Sequence, residues 1–131
     1  TKSIAVLEMS AGSRTFDDAH RDDIEPVTGG WRESVGAVRR KASALTRDAD
    51  KWWIGISSRG VDGLRARWND KYKGEGMEHI AVVYETSSER FRRSMEEDLT
   101  EFYEGQVENR VGGGGGRDAS EGPFTVYVAW R

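Results

Sequence analysis

There is no cysteine anywhere in the 131 residues. That absence removes disulfide staples, thiolate nucleophiles and cysteine-based zinc or iron–sulfur centres, and it suits a reducing compartment, cytoplasmic or nuclear. Nor does any apolar run approach the roughly 18–20 residues a membrane span needs. The start Thr1–Gly12 lacks the basic-then-apolar order of a secretory leader. The expectation is an intracellular protein with no membrane association. No internal repeat is visible, and the length is that of one domain with one core. Five Trp, four Tyr and four Phe supply large rigid groups for that core, although charged residues make up 33% of the chain.

The net charge of −3 argues against a generally basic nucleic-acid binder, but the sum hides an asymmetry. Residues 1–30 carry −3 and residues 74–131 carry −6, whereas residues 31–73 carry +6. The middle is the one phosphate-facing candidate, the local basic stripe of a nucleic-acid protein, with a solvated helix face as the plain alternative. The acidic C-terminal half suits a protein partner.

Hydrophobic period divides the chain. Ile4–Met9 reads as a strand, and residues 10–30, with Gly, Ser, Asp and Pro26, as a long loop or arm. Trp31, Val35, Val38, Ala42 and Leu45 recur at helical spacing. Trp52–Ser57 reads as a strand, Leu64–Lys73 as a short basic helix and Ile80–Tyr84 as another strand. Ser87 or Ser88 then caps a helix marked by Phe91, Met95, Leu99, Phe102 and Tyr103. Five glycines at 112–116 open a Gly-rich loop over residues 112–122 that can build no packed element. Phe124–Trp130 alternates as a half-buried strand does. Four strands interleaved with three helices predict an α+β or α/β layout, a small sheet covered by helices on one or both faces.

Trp53-Ile54-Gly55-Ile56-Ser57, then Arg67-Trp68, then Glu96-Glu97-Asp98-Leu99, then Asn109 and the glycine run stand in a telling order. Together, from Trp53 to Gly116, they resemble the metal-binding half of a GIY-YIG nuclease. The resemblance covers about half the chain and implies an α+β fold with a small, mostly antiparallel sheet flanked by helices, and a metal-dependent endonuclease that hydrolyses DNA phosphodiester bonds. In it Arg67 is the catalytic arginine, Glu96 the ligand of one Mg²⁺ or Mn²⁺ ion, and Lys71 or Tyr72 a second polar catalytic group. Arg59, Arg65, Lys73 and Asn109 are the expected nucleic-acid contacts.

The residue types suit that chemistry. An arginine meets the charge growing on an attacked phosphate with a fixed, always-charged fork. One carboxylate suffices for Mg²⁺, which keeps most of its waters. At 100° per residue Glu96 flanks the apolar helix face, able to look into a cleft, while Glu97 points outward. Tyr72 suits proton transfer if neighbouring cations lower its pKa.

The chain departs from the family twice. Trp53 stands where a tyrosine is expected, and an indole cannot accept a proton. No tyrosine precedes Tyr72, so the Gly-Ile-Tyr strand expected upstream has no counterpart. Tyr127, within the similar frame Phe124–Val128, is the candidate source of the missing hydroxyl, provided that its strand lies beside Trp53. The alternative function is a catalytically inactive nucleic-acid-binding or protein-interaction module. Asp17–Asp23 gathers carboxylates around His20 without the spacing of an EF-hand, and His79 reads as a strand-edge residue. The glycine run lacks the Gly-Lys-Ser/Thr ending of a P-loop, so no nucleotide cofactor is expected.

Overall fold

In a computed structural model, which describes residues 14–109 and 122–131, the chain forms α1 (Phe16–Ala19), α2 (Trp31–Leu45), β1 (Trp52–Ser57), α3 (Gly60–Arg67), β2 (His79–Thr86), α4 (Glu89–Phe102) and β3 (Phe124–Trp130). A π turn, Trp68–Tyr72, continues α3. The expected strand Ile4–Met9 and the glycines 112–116 lie outside the described residues. Among the described residues no helix is long and apolar enough to cross a membrane.

The sheet has three antiparallel strands in the order β1-β3-β2, so the last strand in sequence is the middle one in space. Its alternation suggests one wet face, yet every position of β3 is buried. The reason is that both faces are covered. On one, Ile54, Ile56, Val126 and Val128 pack against Val38 and Ala42 of α2 and Met95 and Leu99 of α4. On the other, Tyr127 and Ala129 meet Leu64, Trp68 and Tyr72 together with Phe16 and Ala19 of α1. A small residue such as Ala129 makes the second face look polar or neutral in sequence, and only the covering helix reveals it as core.

Residues 14–30 also differ from the expected loop. Thr15 caps α1, its hydroxyl accepting from the Asp18 amide at 3.2 Å. The chain then runs along the outer edge of β2: the Arg21 amide donates to the Ile80 carbonyl (2.9 Å), the Val27 amide to the Val83 carbonyl (3.0 Å) and the Glu85 amide to the Val27 carbonyl (3.0 Å). Breaker residues do not forbid such isolated bridges, which satisfy an otherwise open edge. At the opposite edge Asn109 does the same for β1, accepting from the Ile54 amide (2.7 Å) and donating to the Ile54 carbonyl (2.6 Å).

α2 follows its expected span, though Trp31 is only half-buried at the margin of the core. α4 starts at Ser88, one of the two serines expected as caps; the Ser88 hydroxyl accepts from the Phe91 amide at 3.1 Å, worth about 1 kcal/mol. Its buried face, however, is rotated from the one the apolar residues suggest. Phe91 and Phe102 are 37% and 50% exposed, whereas Arg92 and Glu96 are 2% and 8% exposed. Arg39 of α2 grips Asp98 through both carboxylate oxygens and lies 4.1 Å from the Phe102 ring centroid. That cover allows Phe102 to stay outside the core, and a half-exposed ion pair adds at most about 1 kcal/mol.

Candidate functional site

Where β1 ends, Ser57 and Ser58 lead into a sharp turn made by two residues in the left-handed region, Arg59 (φ 60°) and Gly60 (φ 59°). For arginine that conformation costs about 1 kcal/mol or more. The turn sends α3 back over the end of β1, so close that a Cβ on Gly63 would overlap the Ser58 carbonyl oxygen. Between them lies a cavity of about 200 Å³. Ser57, Ser58, Arg59, Arg67 and Asp70 line it, and Arg92 of α4 forms another wall.

The π turn selects which residue follows Arg67 inward. In it the Lys73 amide donates to the Trp68 carbonyl five residues back, at 3.0 Å. Single π turns recur at functional sites because they re-aim the side chains that follow them. Tyr72 is thereby buried, while Lys71 remains exposed with its ammonium 3.6 Å from the Trp53 ring centroid. Trp53 itself is half-buried, its ring centroid 6.4 Å from that of Tyr72.

β3 brings Tyr127 to the same place. It pairs with Gly55 of β1, and its ring lies across that glycine, so that a Cβ there would overlap the phenol. The Tyr127 and Tyr72 hydroxyls are hydrogen-bonded at 2.9 Å. The charges of Arg67 and Glu96 both reach these hydroxyls, and both reach the Arg92 guanidinium. Glu96 lies one helical turn from Arg92, on the same buried face of α4, and Glu97 is exposed as helical period predicts. Arg67, Tyr72, Tyr127, Glu96 and Arg59 thus share one neighbourhood.

Others among the sequence candidates do not join it. Arg65 turns toward α1, pairing with Asp17 at 3.3 Å and lying 4.8 Å from the Phe16 ring. Asn109 is engaged with the main chain of β1. Asp23 pairs with Arg21 at 2.8 Å, and among the described residues no three His, Asp or Glu side chains group to hold an ion. His79 opens β2 with its ring tilted on Trp130, and burial lowers its pKa.

Arg92 is the residue that sequence reasoning missed. The available signal was its i, i+4 spacing from Glu96 beside Met95 and Leu99, a pair of charges on a face that should be apolar. Burial holds the Arg92 pKa below its usual value, with the Glu89 carboxylate opposing.

Burial also raises the pKa of Tyr72, against the opposing effects of the Tyr127 hydrogen bond and Arg67. The condition for Tyr72 to assist proton transfer, a pKa lowered by neighbouring cations, is therefore not met, because loss of hydration outweighs the nearby cation. Tyr127 is raised well above 10.0, burial again being the largest cause. Both are neutral hydroxyls near neutral pH. A phenol whose folded pKa exceeds its unfolded value stabilises the fold fully below about pH 10 and loses that contribution as pH rises through the folded value. Urea melts across about pH 8 to pH 11 should show stability falling above pH 10, less steeply for Tyr127→Phe. Ionisation of all four tyrosines in folded protein near pH 10 contradicts this.

No family model, curated protein or solved structure matches the chain. The site's own chemistry carries the functional argument.

Proposed function

We propose that this protein is a metal-dependent endonuclease that hydrolyses DNA phosphodiester bonds. The observation that carries the reading is that Arg67, which lines the small cavity, lies close enough to the hydrogen-bonded Tyr72–Tyr127 pair for its charge to act on both hydroxyls, as does that of buried Glu96. In this reading Tyr127 supplies the hydroxyl that Trp53 lacks, from the strand beside β1, and stands in for the upstream strand of the GIY-YIG pattern.

Each group has a task that its environment permits. Arg67 faces a phosphate with a permanent positive charge and matches the charge that grows during attack. Tyr72 and Tyr127 stay protonated; one hydroxyl donates to the other, which leaves one O–H of the pair to orient a water or an oxygen, and a base is sought elsewhere. Glu96 would hold one Mg²⁺ or Mn²⁺ ion. A single, mostly buried carboxylate fits a cation that keeps most of its waters. When bound, that ion supplies Lewis-acid stabilisation of the phosphoryl and leaving oxygens. Arg59, Lys71 and Lys73, in and beside the turn and helix that carry Arg67, give a basic surface for the neighbouring backbone.

A second reading, a DNA-binding module without hydrolysis, is favoured by Trp53 and by the raised tyrosine pKa values. Supercoiled plasmid incubated with Mn²⁺ or Mg²⁺ separates the two. Wild type is expected to nick and linearise the plasmid, EDTA to stop it, and Glu96→Gln to slow it by at least about 100-fold. Cleavage by Glu96→Gln at the wild-type rate removes the metal assignment. Salt-dependent binding with no cleavage establishes the module instead.

A further inference from the structure

We infer that Arg92 is the inner wall of a phosphoryl-binding site, its buried guanidinium donating to the non-bridging oxygens of a DNA backbone phosphate. A guanidinium only 2% exposed should be fully hydrogen-bonded, because an unmatched buried charge is costly. Arg92 is not. Its Nη1 donates to the Ser57 carbonyl at 3.0 Å, but Nε and Nη2 have no hydrogen-bond partner among the described residues. The Glu89 carboxylate oxygen is 3.9 Å from Nη2 and already accepts from Arg93 Nε at 3.1 Å.

The unmatched atoms are the adjacent pair on one edge of the guanidinium. That edge presents two parallel N–H donors, the fork that fits two oxygens of one phosphate. The rest of the group is held ready for it. The Ser57 carbonyl fixes Nη1, and the Phe124 ring centroid lies 4.9 Å from Cζ. Nε and Nη2 are themselves shielded from water, so binding needs a small shift of the cavity wall to uncover them, while the rest of the group stays held.

The cavity that Arg92 walls, about 200 Å³, is smaller than the roughly 300 Å³ at which sites for drug-sized ligands begin. It admits a phosphoryl group and leaves the base outside. Arg67 and Arg59 add positive charge, and Asp70 on the same wall takes part of it away, which favours the single charge of a diester. Recognition at this point is of the backbone, independent of base sequence.

The assignment rests on the nuclease reading only for the identity of the anion, so its test is made in EDTA and reads binding. The thymidine dinucleotide diester and inorganic phosphate are titrated separately into wild-type protein while the Arg92 Nε–H resonance is followed. Fluorescence anisotropy on a short duplex then compares wild type with Arg92→Met over a range of salt. The diester is expected to move the Arg92 resonance, and Arg92→Met to bind about 10-fold more weakly with a salt slope lower by about one. An unmoved resonance overturns the proposal, as does an unchanged slope and affinity in folded Arg92→Met. A resonance moved by inorganic phosphate alone overturns the diester assignment. If Arg92→Met does not fold, the wild-type titration decides. Arg92-dependent binding by a protein that cuts nothing fails the nuclease reading and leaves this one standing; cleavage with Arg92-independent binding does the reverse.

Discussion

Arg67→Ala is expected to slow DNA cleavage by about 10²–10³-fold while leaving the fold intact. Arg67 is exposed on α3 and lines the cavity, so among the described residues its removal uncovers no core and orphans no buried partner. Its stability cost should stay within about 0.5 kcal/mol. The cost falls on the reaction, because a positioned cation helps most where negative charge develops and water is scarce. Arg67→Lys should recover only part of the rate, since an ammonium on a flexible stem cannot present a planar fork. The loss should appear mainly in kcat, with a smaller rise in KM from weaker phosphate contact. Arg67 also lowers the pKa of both Tyr72 and Tyr127, so in Arg67→Ala the two phenols should ionise at still higher pH. Single-turnover cleavage and a phenolate absorbance titration read the two effects independently. Wild-type cleavage by Arg67→Ala removes Arg67 from the reaction; unaltered phenol titration removes it from the neighbourhood of the tyrosines.

Gly63→Ala should destabilise the protein by about 3 kcal/mol, a fall in Tm of at least about 10 °C. The added methyl group would overlap the Ser58 carbonyl oxygen and lie 2.9 Å from its carbon. Backbone cannot rotate away as a flexible side chain can, so α3 must lift from the end of β1. That movement opens the cavity and displaces Arg67, coupling loss of stability to loss of any activity. Gly36→Ala in α2 is the matched control of opposite sign. There the methyl group would meet nothing nearer than Arg40 Nη1 at 3.5 Å, an ordinary contact, and glycine costs a helix interior about 0.5–1 kcal/mol relative to alanine. Differential scanning calorimetry of both variants tests the pair. A Gly63→Ala protein as stable as wild type would show that the tight approach of α3 to Ser58 is not required.

The placement of Arg92, Glu96 and Phe91 illustrates what patterning can and cannot decide. Counting apolar residues along α4 turns Phe91 and Phe102 inward, because burial of aromatic area is the dominant favourable term. The structure instead turns Arg92 and Glu96 inward, at a cost in desolvation that apolar replacements would avoid. Places where a local rule is broken in this way are where function is expected.

The sequence by itself determined the α+β class, the spans of α2 and β1, a serine cap at residue 87 or 88 and the choice of Glu96 over Glu97 as the inward carboxylate. Each depends on hydrogen bonds or side-chain period within one element, and those are local properties. Likeness of Phe124–Val128 to the Gly-Ile-Tyr frame also suggested Tyr127 as the neighbour of the Trp53 strand, the pairing that β1 and β3 make. Only the tertiary structure decided that β3 is the middle strand, that residues 14–30 line the edge of β2, and that a π turn puts Tyr72 rather than Lys71 beneath Arg67. Strand order and the burial of a second sheet face are set by contacts between residues far apart in the chain. Arg92 belongs with these, because a charge becomes a wall of a cavity only when distant elements close over it.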